Sequence, residues 1–334
     1  MAKATRARRA ARGSLADVVF AAHVEQLERL LSRGAGKGLD LLYARAAEEL
    51  ARRLSRYGSA DRRVDPSTLR AMRAQVEAVI SAMEGGMAKI LRDGGKDAVA
   101  LGIRHAASEF STLEREFKGT APVVDVSSGA LFSRLVEGAD ASLLRRHVPR
   151  TRTWGASQVL AAEEKMAVGA MTGKPLEELV GELQVELATS RWKAERIVRT
   201  EGAYAHGFAK QTAISETGRR LGRPLWKRLV ETFDDRTGDD SFLLHGQTVP
   251  HDKPFVWRKR KGRGWVLVEF MHPPNRPNDR AVVIPWDPEW DEDEITRPFT
   301  RAELSAAQPT RWRSTPGVEI PPGHRPGKAP RARR

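Results

Sequence analysis

Apolar residues recur at helical spacing through the first two thirds of the chain. Leu15, Val18, Val19, Ala22, Leu27, Leu30 and Leu31 fall on one helical face, and Ser14 stands where an N-cap is wanted, with Asp17 three residues on. Gly34, Gly36 and Gly38 interrupt this stripe. It resumes at Leu39, Leu42, Tyr43, Ala46, Ala47, Leu50 and Leu54 and stops near Gly58, where a glycine can take the left-handed conformation that ends a helix. The spacing predicts an antiparallel or kinked helical pair. Asp65-Pro66-Ser67 is a start signal, a capping side chain before a proline whose fixed φ suits the first turn. Leu69, Met72, Val76, Val79, Ile80, Met83, Met87, Ile90 and Leu91 then predict a long amphipathic helix. Helix continues from Ala98 to Phe117 and ends at Gly119-Thr120-Ala121-Pro122. An interior glycine costs about 1 kcal/mol relative to alanine, so Gly85-Gly86 and Gly94-Gly95 are expected to kink or hinge it.

Val123 to Val126 is a short β-branched run and reads as extended. Helical sequence returns over Gly129 to His147 and Thr151 to Met171. Gly173-Lys174-Pro175 then precedes a short helix, Leu176 to Leu183, and Ser190 reads as the cap of the next, Arg191 to Leu221. Gly222-Arg223-Pro224 marks a switch of period from helix to strand. Leu225 to Phe233 reads as a strand, with Asp234 closing the turn after it. Asp239 or Asp240 can cap a short helix that Gly246 ends. Phe255-Val256-Trp257 and the run Trp265 to Phe270 flank a basic, glycine-containing tip and predict a β-hairpin. After Trp286 the sequence turns acidic, then rich in Pro, Arg and Gly, and is expected to be disordered alone or ordered on a partner. The expected fold class is α+β: an extended, mainly α-helical N-terminal region, a small antiparallel β module, and a tail. The expected divisions are a basic arm over 1–13, helices over 14–174, a module over 175–286 and a tail over 287–334.

Composition narrows the function classes. The 334 residues are 40% hydrophobic and only 6% aromatic, which suits long helices better than one globule with a ring-filled core. A formal charge of +14 points to an anionic partner, by the field that clustered Lys and Arg set up. With no cysteine, neither a disulfide nor a thiolate metal site is available. The basic N-terminus lacks an apolar signal-type core, and no run approaches the roughly 20 apolar residues of a membrane span. A soluble protein made in the cytoplasm is expected.

Candidate chemistry is sparse. Arg199-Thr200-Glu201 follows Glu195 in the favourable acid-then-base order and reads as a helix-face ion pair rather than a catalytic pair. The spacing of Asp234, Asp235, Asp239 and Asp240 fails that of a calcium loop, and Arg236 suits a fork that staples the turn. His245 and His251 lie near carboxylates without a third supporting ligand, so no metal and no cofactor is assigned. At the hairpin tip, Arg258, Lys259, Arg260, Lys261 and Arg263 read equally as phosphate contacts and as a solvated end. Arg6, Arg8, Arg9 and Arg12 form a basic arm of the same kind. None of the phosphate-loop, dinucleotide, zincin or nucleophile-elbow templates occurs.

Taken in order, Arg199-Thr200-Glu201, Asp234-x-Arg236-Thr237, Leu244-His245-Gly246, Pro273-Pro274 and Asn278-x-Arg280 resemble the phage head-morphogenesis proteins, the Mu F-like minor capsid family. The match covers roughly Leu176 to Trp286. In that family a histidine stands where this chain has Ser241, and cysteines where it has Asp279 and Ala281, so any metal or cross-link built on them is lost here. The resemblance implies a non-enzymatic minor head protein in the virion, at the capsid interior or portal vertex. It would be present in several copies, with the portal or major capsid protein as partner and packaged double-stranded DNA as a further contact. Two alternatives stay open: an effector enzyme carrying a Mu F-like module, and a general basic DNA-binding protein.

Overall fold

The computed structural model describes residues 15–57, 66–119, 125–230, 244, 246–261, 264–274, 279, 281–287 and 289–290, with backbone only through much of the hairpin. It is α+β, as the sequence predicts. Four helices come first: α1 (Leu15–Leu54), α2 (Pro66–Lys118), α3 (Gly129–Met171) and α4 (Leu176–Leu221). Five strands follow: β1 (Trp226–Val230), β2 (Thr248–Pro250), β3 (Phe255–Lys261), β4 (Gly264–Phe270) and β5 (Val282–Trp286). The chain forms two compact units, each assembled from separate stretches. Unit 1 comprises Met1–Leu27, Ala98–Ala139 and Ala203–Arg334, and unit 2 comprises Glu28–Asp97 and Asp140–Gly202.

Among its described residues, unit 2 is helical apart from the turn at 172–175. The apolar stripes of its four helical segments meet in one core that includes Leu39, Tyr43, Leu50, Met72, Val76, Ile80, Met83, Trp154, Met166, Leu179, Leu183 and Val198. Each large side chain taken out of water there contributes about 1.5–3 kcal/mol before chain entropy is counted. Polar contacts set the register of α1 against α4. Tyr43 Oη and Ser190 Oγ are 3.1 Å apart, and Gln184 Nε2 donates to the Ala47 carbonyl at 3.4 Å. Arg191 reaches Asp40 at 2.6 Å. As numbers rise on α1 they fall on α4, so the two run antiparallel.

Unit 1 gathers the remaining helical segments with both sheets. One sheet has the order β2-β1-β5 and the other is the β3-β4 hairpin, all antiparallel. Central β1 alternates as a half-buried strand should, with Lys227 and Leu229 inward. β5 is buried throughout. Trp286 pairs with Trp226 across the ladder. Trp290 stacks on Phe117 at 5.6 Å and meets Phe110 and Trp286.

Several element boundaries differ from the sequence expectation. Gly36 and Gly38 lie inside a single unbroken α1, and Gly85, Gly86, Gly94 and Gly95 inside a single unbroken α2. A Cβ on Gly86 would come within 2.5 Å of Leu42 Cδ1, and one on Gly95 within 3.3 Å of His147 Cε1. These two glycines mark close helix approach, and packing offsets their low propensity. Likewise α3 runs through Pro149 without the break expected between His147 and Thr151. The short helix Leu176–Leu183 and the later helix are one element, so Ser190 is no cap; its hydroxyl donates back to the Leu187 carbonyl at 2.7 Å. The expected ends do occur at Gly119, Gly173 and Gly222, all with positive φ. Of the run read as extended, Asp125 and Val126 are described and lie outside any strand. Asp125 accepts from Ser127 N at 2.7 Å and from Ser128 Oγ at 2.9 Å just before α3. Among the described residues no helix is long and apolar enough to cross a membrane.

The glycines separate into two kinds that substitution can tell apart. A Cβ on Gly85 would meet nothing within 4 Å, whereas one on Gly102 would lie 2.5 Å from the His206 carbonyl oxygen. Gly85→Ala is expected to stabilise the protein by about 0.5–1 kcal/mol, and Gly102→Ala to destabilise it by about 1–3 kcal/mol. Urea unfolding of the two variants checks both signs.

Candidate functional site

The residues singled out in the sequence have divided fates. Arg199 sits half-exposed on α4, 4.0 Å from Glu195, so the expected ion pair is present at the limit of contact. Glu201 does more. Its fully buried carboxylate accepts from Arg146 Nε at 2.6 Å and lies in ion-pair contact with Arg150 Nε at 2.9 Å, with His147 Nε2 3.8 Å away, which fixes α4 against α3 within unit 2. Thr200 beside it is buried. In unit 1, Gly246 has φ +79° and its N–H donates to the Leu229 carbonyl at 2.8 Å, closing the return from β1. Pro273-Pro274 is a cis peptide, and a Cβ on Gly207 of α4 would clash with the Pro273 oxygen. Asp279, where the resembling family has cysteine, is buried and accepts from Ala281 N at 3.2 Å. His251 uses its ring, Nδ1–H donating to the Leu225 carbonyl at 3.1 Å.

Asp234, Arg236, Thr237, Ser241, His245, Asn278 and Arg280 lie outside the described residues, as do Arg6, Arg8, Arg9 and Arg12 of the arm. So do Arg263 and the side chains of Arg258, Lys259, Arg260 and Lys261, whose backbone continues β3 rather than forming the expected tip.

Unit 1 also holds a polar cluster that sequence reading does not single out. His105 and Glu109 are one turn apart on α2, as are His206 and Lys210 on α4, and α1 adds His23 and Gln26. Lys210 Nζ donates to Glu109 Oε1 at 2.6 Å, both side chains fully buried, and His23 Nδ1–H donates to the same oxygen at 2.9 Å. His23 stacks on His105 with centroids 3.8 Å apart and planes 2° from parallel. His105 joins Gln26 Oε1 through Nε2 and His206 Nε2 through Nδ1, each at 3.0 Å.

With the Gln26 amide oxygen accepting from His105 Nε2–H, neutral His105 accepts at Nδ1 from His206 Nε2–H. Burial drives the same way. It pushes His105 down to about 2, helped by charge at His23 and Lys210, and pushes His206 well below its ordinary value. Burial also lowers Lys210, and the Glu109 carboxylate opposes that shift by Coulomb attraction and hydrogen bonding. A carboxylate, an ammonium and three imidazoles in series resemble a proton relay. Here His105, Glu109, His206 and Lys210 are each no more than 3% exposed, so the chain joins the helices through their interior, with Gln26 at its exposed edge.

Two further charge sites organise unit 1. Lys227, inward on β1 and fully buried, donates to the Met271 carbonyl at 2.7 Å and lies 5.0 Å from the Phe255 ring centroid. Burial pushes it down to about 7. Arg223, in the turn after α4, contacts Glu114 at 3.0 Å, Asp287 at 2.7 Å and Glu289 at 2.5 Å. Trp290 Nε1 donates to Glu114 at 3.2 Å. The described start of the acidic stretch after Trp286 is therefore held by the fold itself. Among the described residues no group of three or more His, Cys, Asp or Glu side chains is placed to hold a metal ion. Comparison of the chain with protein-family models, curated proteins and solved structures found no match in any of the three.

Glu109→Gln leaves a buried ammonium without its counter-charge and is expected to cost about 3–5 kcal/mol, whereas Glu109→Leu combined with Lys210→Met is expected to recover most of that loss. Denaturant titration of the single and double variants measures both. His105 and His206 give a pH dependence of defined sign. Their folded-state values are depressed, so the folded protein binds fewer protons than the unfolded chain once pH drops below about 6.5. Stability is full above that value and falls as pH drops through it. Urea midpoints at neutral and mildly acidic pH are expected to show this decline, and His105→Gln to shrink it.

Proposed function

We propose that this chain is a structural minor head protein of a tailed phage or phage-like particle. It docks on the portal or inner capsid during head assembly and contacts packaged DNA through its basic segments. The observation that carries this reading is the order of the signature residues, joined to the use the fold makes of those described. Glu201 anchors a helix pair, Gly246 closes a turn, and Pro273 seats against Gly207. Each serves as a joint, as residues of a docking scaffold should. Net charge of +14 supplies the attraction to DNA or to an acidic surface.

Deleting the gene from the phage that carries it and imaging the particles tests this proposal. The expected result is a loss of DNA-filled, infectious heads, restored by supplying the protein in trans. Normal yields of filled, infectious heads without it would overturn the proposal.

A further inference from the structure

Unit 2 leaves two apolar surfaces in solvent. Along α3, Leu160, Val168 and Met171 are 67%, 50% and 87% exposed. Helical spacing brings them to one face with Glu164 between them. The second surface lies where α1 meets α4: Leu41 is 60% exposed, Val185 66% and Trp192 52%. The α1–α4 register set by Asp40–Arg191 and Tyr43–Ser190 brings Ala44 and Ala188 between them, so small residues floor a shallow groove. Exposed apolar patches of this kind mark interaction sites more often than chance.

The two surfaces differ in sign. Lys193 Nζ and Arg196 Cζ lie 5.9 Å and 5.0 Å from the Trp192 ring centroid, and neither forms an ion pair among the described residues. Glu164 forms none among them either. Setting α3 antiparallel to α4 with Glu164 opposite Arg196 puts Val168 opposite Trp192 and Met171 opposite Thr189. In this register Glu164 to Met171 and Thr189 to Arg196 face each other, each spanning about 10 Å at the helical rise. Pairing like with like would instead set Glu164 against Glu164, or Arg196 against Arg196.

We propose that unit 2 binds a second copy of this chain through these surfaces, the α3 stripe of one copy lying in the α1–α4 groove of the next. Because each copy carries both halves, the contact is head-to-tail and builds rings or open chains rather than stopping at a dimer. The inference rests on the surface of unit 2 alone and stands independently of the head-protein reading.

Sedimentation velocity on the full chain across a micromolar concentration series tests it. The wild type is expected to grow beyond a dimer as concentration rises, and Trp192→Asp and Met171→Asp each to remain monomeric while keeping the wild-type circular dichroism. Mixed together, these two variants should form a dimer and nothing larger, since each retains the half the other lacks. Glu164→Arg should weaken association about tenfold, and combining it with Arg196→Glu should restore it. A wild type that stays monomeric throughout overturns the proposal. So does association that survives both aspartate variants, or a mixture of them that stays monomeric while the wild type associates.

Discussion

Unit 1 depends on placing two opposite charges, Lys210 and Glu109, in an interior from which both side chains are fully excluded from water. Each ion loses several kcal/mol of hydration on burial, and the pair returns this only at close approach with its hydrogen bonds made. That requirement fixes α2 and α4 in one register. The backbone permits it because Gly102 faces the His206 carbonyl where no Cβ would fit, and Gly207 admits the Pro273 carbonyl in the same way. The segment after the hairpin and the polar cluster thus meet α4 at neighbouring residues. His23 extends the constraint to α1, since it must reach the same Glu109 oxygen while stacking on His105.

Patterning made the class of fold legible. Apolar stripes fell on the four described α-helices, Pro66 and the glycines at 119, 173 and 222 marked real boundaries, and the hairpin formed where expected, with β3 running on through Arg258 to Lys261 of the expected tip. Errors came where local propensity was read without its partner. Gly38, Gly86 and Gly95 looked like breaks because the neighbours that profit from their missing side chains lie far off in sequence. Ser190 looked like a cap because its actual partner, Tyr43, is 147 residues away. The polar cluster stayed hidden for the same reason, since His, Glu and Lys on long helices normally face water. One signal was present: Lys210 is the sole charged residue between Glu201 and Glu216. A lone lysine in so apolar a stretch of helix calls for a buried counter-charge.

Charge is used differently inside and outside. Within the fold, Glu201 is matched with Arg146 and Arg150, and Arg223 with Glu114, Asp287 and Glu289, while buried Lys227 is held by a carbonyl and a ring. The surplus of positive charge remains for partners, with long-range attraction for an anionic one. Between copies, short-range recognition falls to the apolar stripe and groove of unit 2.

The central claim is that His105 and His206 of unit 1 are buried, neutral links between helices. NMR titration of the imidazole carbons of His105 and His206 in the folded protein tests this most directly. Both sets of shifts should stay constant from mildly alkaline to mildly acidic pH until the unit unfolds. Reversible titration of either ring near the ordinary value of about 6.5 while the protein stays folded would contradict the claim.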